Sequence, residues 1–237
     1  MRNILLLALL LLIPGDGNGI GIQQMTSLIT PAAAGGAPSF IFDENCEGTG
    51  TPSGWTDTGA PDWDSTTVIL AGSESVEMIG AATPPRVHYD FTPAVDTIYV
   101  RFRMHRTAGT GYRVLSLRNQ TGDTEPAFVN IAASPSGGFT IQHGTSAATT
   151  VNGSSIGTDY NIWVRYTKSS GANDGVMTLG FSTTSTEPTS GDDFVSVTTG
   201  TQTSQINRVQ FRNGSSSGSN TIFHDDMTGD DVSIGDF

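Results

Sequence analysis

The chain has 237 residues, of which only 14% are charged, with 29 glycines and a formal net charge of −12 at pH 7. So few charges exclude a coiled coil or other charged helical protein. The steady return of Val, Ile, Phe, Tyr and Trp excludes a disordered polymer. A chain this acidic repels nucleic acid and anionic membranes as a whole, so neither is an expected partner.

Arg2 precedes an apolar run over residues 4–13, then Pro14 and a Gly/Asp/Asn stretch. At about ten residues the run is too short to span a bilayer and has the length of a secretory leader. The other physical reading is an apolar peptide that packs into a larger assembly. Residues 1–19 are therefore expected to be a signal peptide or apolar leader. Residues 20–38, rich in Ala, Gly, Thr, Ser and Pro, are expected to be a flexible linker. The single cysteine, Cys46, cannot form a disulfide within the chain and reads as a small buried residue.

From residue 39 onward the pattern changes to short apolar alternations separated by turn residues. The spacing predicts about fourteen strands, over 39–43, 67–71, 74–79, 86–91, 97–106, 112–118, 126–132, 138–142, 160–168, 175–182, 193–197, 205–212, 220–225 and 230–234. No stretch sustains a helical period. So many strands bury their apolar sides only by pairing into two sheets. The predicted fold is all-β, a two-sheet antiparallel β-sandwich (jelly roll) over residues 39–237.

Alternation assigns the faces. Ile98, Val100, Phe102 and Met104 oppose Tyr99, Arg101, Arg103 and His105. Val87, Tyr89 and Phe91 oppose Arg86, His88 and Asp90. Ile162, Val164 and Tyr166 oppose Trp163, Arg165 and Thr167. After a shift near Asn207, Val209 and Phe211 oppose Arg208, Gln210 and Arg212. Six arginines thus fall on outward faces of four strands. Aromatic rings stack on the apolar side of a pyranose, while Arg and Gln hydrogen-bond hydroxyls and carboxylates. The expected ligand-binding residues are Arg86, His88, Tyr99, Arg101, Arg103, Trp163, Arg165, Gln210 and Arg212. Whether they share one face depends on strand order.

The segment from Phe40 to Gly48, with Gly54-Trp55 and Asp62-Trp63-Asp64 after it, resembles the opening of concanavalin A-like lectin/glucanase domains, the laminin-G-like jelly rolls. The stretch Asn161-Ile-Trp-Val-Arg-Tyr, followed by Asn173-Asp-Gly-Val-Met-Thr-Leu, is similar to a strand pair of that family. Thr221-Ile-Phe-His-Asp-Asp-Met resembles its closing strand, which lies beside the first. The resemblance covers about residues 39–237. It implies the sandwich fold and an exterior, carbohydrate-related role; members include sugar-binding modules, glycoside hydrolases and polysaccharide lyases.

No complete catalytic centre is legible. The Glu-x-Asp-x-x-Glu strand of the family's hydrolases does not occur. Lyases of the family pair a Tyr or His base with Arg, Gln or Lys; Gln142-His143 with Tyr99 and Arg101 could imitate that set, although Gln and His are adjacent here. Acidic residues near both ends suggest one structural calcium ion, with Asp43, Glu47, Asp225 and Asp226 as ligands if the first and last strands are neighbours. The expected function is a non-catalytic glycan-binding or adhesion module, secreted or on a virion or other particle surface. Its partners would be a glycan or polysaccharide, and other subunits of a surface assembly. A structural or decoration protein and a polyuronate lyase are the alternatives.

Overall fold

The computed structural model describes residues 40–122, 124–133 and 137–232; the leader and linker expected over 1–19 and 20–38 lie outside them. Two antiparallel sheets face each other. The eight-stranded sheet runs β13 (Phe194–Gly200), β12 (Gly175–Ser182), β11 (Tyr160–Thr167), β6 (Thr97–Arg106), β15 (Thr221–Asp230), β4 (Ser75–Ile79) and β3 (Asp62–Ser65). Its eighth member, β1 (Phe42–Glu44), pairs with the last residues of β15. The seven-stranded sheet runs β10 (Ser146–Gly153), β9 (Gly138–His143), β8 (Thr124–Ile131), β7 (Tyr112–Asn119), β14 (Ile206–Arg212), β5 (Arg86–Val95) and β2 (Trp55–Thr58). First and last strands are neighbours, as the resemblance implied.

The inward sets read from alternation are the core. Ile98, Val100, Phe102 and Met104 of β6 are buried, and so are Ile162, Val164 and Tyr166 of β11. Phe102 of one sheet meets Phe211 of the other edge to face at 5.2 Å, and Phe139 meets Phe181 at 4.9 Å. Each such side chain stabilises the sandwich by roughly 1.5–3 kcal/mol through burial. The shift expected near Asn207 is a register irregularity between Ile206 and Arg208, which restores the alternation of β14.

Several elements differ from expectation. Residues 67–71 form a loop, not a strand: Ile69 is half-exposed, and the Leu70 carbonyl and Ala71 amide bond to side chains of the eight-stranded sheet. Strands β2, β3 and β10 were not expected, because Trp55-Thr-Asp-Thr, Asp62-Trp-Asp-Ser and Ser146-Ala-Ala-Thr-Thr carry almost no apolar alternation. All three lie at sheet ends, where one side lacks a neighbour. The strand expected over 220–225 runs on to Asp230, the first residue of the strand expected over 230–234, of which 233–234 lie outside the described residues. Its interruption is a bulge at Asp225 and Asp226, where Asp226 has a φ of 46°.

Candidate functional site

The nine expected binding residues divide between two faces that point away from each other. Arg86, His88, Gln210 and Arg212 lie on the outer face of the seven-stranded sheet. Tyr99, Arg101, Arg103, Trp163 and Arg165 lie on the outer face of the eight-stranded sheet, on β6 and β11. Strand order therefore divides them between two faces, with the hydrophobic core between them.

The eight-stranded face is engaged by its own chain. Trp163 is only 4% exposed, so its ring cannot serve as a stacking platform for a sugar. It pairs in register with Gly180, and a Cβ there would come within 2.7 Å of the Pro188 carbonyl. Arg103 is tied to Asp226 at 2.7 Å and donates to the Leu70 carbonyl. His105 bonds Asp159 at 2.7 Å. The Arg165 guanidinium lies 5.5 Å above the Tyr99 ring.

The seven-stranded face is different. Register sets Gln210 of β14 between His88 of β5 and Ser116 of β7. One step along β14, Arg208 stands between Asp90 and Arg118; one step the other way, Arg212 stands beside Arg86. At about 3.4 Å per residue, Arg208 and Arg212 are roughly 13 Å apart with Gln210 midway. Arg113, near Arg212, lies 3.6 Å over the Phe128 ring and bonds Glu125 and Asn130. Asp90 binds Arg208 through both oxygens, at 2.5 and 2.8 Å. Among the described residues, five guanidiniums thus gather around two carboxylates, Asp90 and Glu125.

That crowding appears in the ionisation of its members. Burial, then the charge of Arg208, holds the His88 imidazole below its ordinary pKa against the opposing pull of Asp90. The His is therefore neutral at pH 7. Burial, then Arg113, lowers Arg212, with Arg86 and Arg118 adding to the effect and Glu125 opposing it. Burial alone would raise Asp90, but hydrogen bonds and charge from Arg208 outweigh it and hold the carboxyl below the usual range. His88 Nδ1, Ser116 Oγ, Gln210 Oε1 and Arg212 Nε are buried and have no hydrogen-bond partner among the described residues. Arg113, Arg118, Arg208 and Ser116 were not among the expected site residues. Arg208 had been placed on the right face; the other three follow only from strand order.

One further expectation is corrected. Gln142 and His143 are successive residues of β9 and point to opposite sides. His143 is an interior residue: it stacks on Tyr166 at 4.8 Å, its Nε2 donates to the Thr167 carbonyl, and its Nδ1 accepts from the Gln202 amide. Neither meets Tyr99 or Arg101, which belong to the other sheet. Of the expected calcium ligands, Glu47 and Asp226 stand close enough to Asp225 to help raise its carboxyl pKa, while each is also engaged by its own chain. Asp43 accepts from Thr228, Glu47 from Ser73, Asp225 from the Ala71 amide, and Asp226 pairs with Arg103. Among the described residues no three His, Cys, Asp or Glu side chains group as metal ligands.

No family model matches the chain, and no curated protein matches it. Solved structures do. An endo-β-1,4-glucuronan lyase from the fungus Trichoderma reesei superposes with a TM-score of 0.60 at 11% identity, over 84% of this chain and 98% of that one. The fold is the concanavalin A-like lectin/glucanase sandwich. The marine PL-14 alginate lyase from Aplysia kurodai gives 0.60 at 7% identity, over 82% of this chain and 100% of that one. The cellulose induced protein Cip1 gives 0.60 at 13%, over 82% and 99%. At such identities the likeness is one of fold. Among the described residues of this concanavalin A-like domain, no helix is long and apolar enough to cross a membrane.

Proposed function

We propose that the protein binds an acidic polysaccharide along the outer face of the seven-stranded sheet. The observation that carries this reading is the gathering of Arg86, Arg113, Arg118, Arg208 and Arg212 on one face, where the described residues include two carboxylates, on a chain whose net charge is −12. Like charges held this close repel, and an anionic ligand relieves the repulsion. Guanidinium forks suit carboxylates and sulfates spaced along a polymer. Two of the structural relatives are lyases of acidic polysaccharides, glucuronan and alginate. The location that goes with this reading is extracellular, or on the surface of a particle.

Calorimetric titration with an oligoglucuronate, an alginate oligosaccharide and a neutral cello-oligosaccharide tests it. The acidic ligands should bind and the neutral one should not. Arg212→Ala and Arg86→Ala should each weaken acidic binding by about 10- to 100-fold, the scale of a charged hydrogen bond. Equal binding of the neutral ligand, or unchanged affinity in both variants, contradicts the proposal.

A polyuronate lyase is a second reading, favoured by the neutral His88 beside Gln210 and the arginines, because a neutral imidazole can accept a proton. Binding without cleavage accounts better for the rest of the face. None of the five tyrosines lies there to protonate a leaving oxygen: Tyr89 and Tyr112 point inward, and Tyr99, Tyr160 and Tyr166 belong to the other sheet. Appearance of the unsaturated product's ultraviolet absorbance on glucuronan or alginate, lost in His88→Gln, would establish the lyase instead.

A further inference from the structure

We infer that Gln210 is a specificity-determining residue, which makes the arginine face select acids that also carry hydroxyl groups over polyanions that lack them. The inference rests on the acidic-polysaccharide reading of the same face. Gln210 is 2% exposed and sits at the centre of the row His88–Gln210–Ser116, between the arginine rows at either end of it. Its Oε1 is buried and accepts no hydrogen bond from the described residues, and the hydroxyl of Ser116 beside it is likewise unpartnered.

The chemistry of these atoms restricts what completes them. An amide oxygen can only accept, so Gln210 Oε1 requires a donor. A serine hydroxyl can donate or accept. Water satisfies both atoms, and so does a sugar hydroxyl. A carboxylate, sulfate or phosphate oxygen only accepts. It could serve Ser116 and the surrounding guanidiniums, but would leave Gln210 Oε1 bare. A ligand group that displaces a well-placed water without reproducing its hydrogen bonds loses affinity. The face therefore holds the acidic groups on its arginines and checks for a hydroxyl between them. Because the row is buried in the free protein, ligand entry requires the flanking side chains to part, and their guanidiniums then turn toward the anionic groups. Discrimination of this kind is strong where a site is built to hydrogen-bond a hydroxyl, because the analogue without it strands a buried polar group.

The test compares an oligoglucuronate with polyacrylate of matched charge number, which carries carboxylates and no hydroxyls. The wild type should prefer the oligoglucuronate by about tenfold or more, the equivalent of one well-made hydrogen bond. Gln210→Met keeps the length of the side chain and removes the amide. It should bring the preference toward unity chiefly by raising polyacrylate affinity, because no buried polar atom is then left bare. A melting temperature no lower than that of the wild type shows that the variant is folded, as expected when a buried unpartnered polar group is replaced by an apolar one. Equal wild-type affinity for the two polymers, or a preference that survives Gln210→Met, overturns this inference and leaves the acidic-ligand reading standing. Binding of neither polymer overturns both.

Discussion

The two outer faces of the sandwich carry similar residue types and end in different states. On the eight-stranded sheet, Arg103 meets Asp226, His105 meets Asp159, Arg165 lies over the Tyr99 ring, and Trp163 is buried. On the seven-stranded sheet, among the described residues, five guanidiniums lie around two carboxylates, and buried atoms of His88, Ser116, Gln210 and Arg212 have no hydrogen-bond partner. The first face is engaged by residues of its own chain. On the second, four buried polar atoms are left open, and the proposed ligand would complete them. An outward Arg on a strand is therefore no guide to binding until its neighbours across the sheet are known.

The largest effect that would break this contrast is on affinity. The double variant Arg86→Ala/Arg212→Ala should weaken binding of an oligoglucuronate at least about 100-fold, since each removes a charge-assisted contact of roughly 1.5–3 kcal/mol. Arg165→Ala, on the opposite face, should change it less than about twofold. Comparable losses in the two would erase the distinction between the faces.

A smaller effect concerns protons. His88 is held neutral by burial and by Arg208, while Arg86, Arg118 and Asp90 also face it; β2 presents Thr56, which does not titrate. A bound anion favours the protonated ring, so binding takes up a proton. Affinity should rise as pH falls from 7 toward 5, by up to about tenfold per pH unit for one proton. His88→Gln should bind with a flat profile over that range, and calorimetry in buffers of different ionisation enthalpy would count the proton.

The interior supplies effects on stability that should leave binding alone. His143 fits because Gly175 and Gly200, paired across β12 and β13, have no Cβ; one on either would overlap the imidazole. Gly200→Ala should cost about 1–3 kcal/mol and lower the melting temperature by several degrees.

Two adjacent residues of β15 should then shape the pH dependence of stability in opposite senses. Burial between Phe102 and Phe211 lowers His224 from 6.5 to about 3, so the unfolded chain binds more protons between those values. Stability is lost as pH falls through that window, and His224→Leu should flatten this limb. Burial raises Asp225 from 3.8 to about 7, against the hydrogen bonds from the Asp226 and Ala71 amides. The folded protein then holds the extra proton, and stability declines as pH rises from about 4 to 7. Asp225→Asn should remove that decline. Melting temperatures across pH 3–8 would separate the two.

The fold was largely legible in the sequence because period-two burial is a local signal. The inward sets of β5, β6, β11 and β14 follow from alternation alone, and so does the break at Asn207. Legibility failed where apolar residues do not alternate: β2 and β3 each bring one buried tryptophan, Trp55 and Trp63, to the core, and β10 is a largely polar strand at a sheet end. The site was half legible. Arg86, His88, Gln210 and Arg212 were placed on outward faces correctly. Their separation from Tyr99, Arg101 and Trp163 is a matter of strand order, set by contacts far apart in sequence, such as Gln210 with Ser116. Trp163 shows the same limit, since its outward ring is closed off from solvent despite lying on a strand's outer side.

The most direct test of the central claim is backbone amide NMR of the isotopically labelled protein during titration with an oligoglucuronate. Saturable shift changes should concentrate on β5, β14 and β7, around His88, Gln210 and Ser116, with β6 and β11 unmoved. Shifts centred on Tyr99, Arg101 and Arg165 would contradict the assignment of the binding face to the seven-stranded sheet.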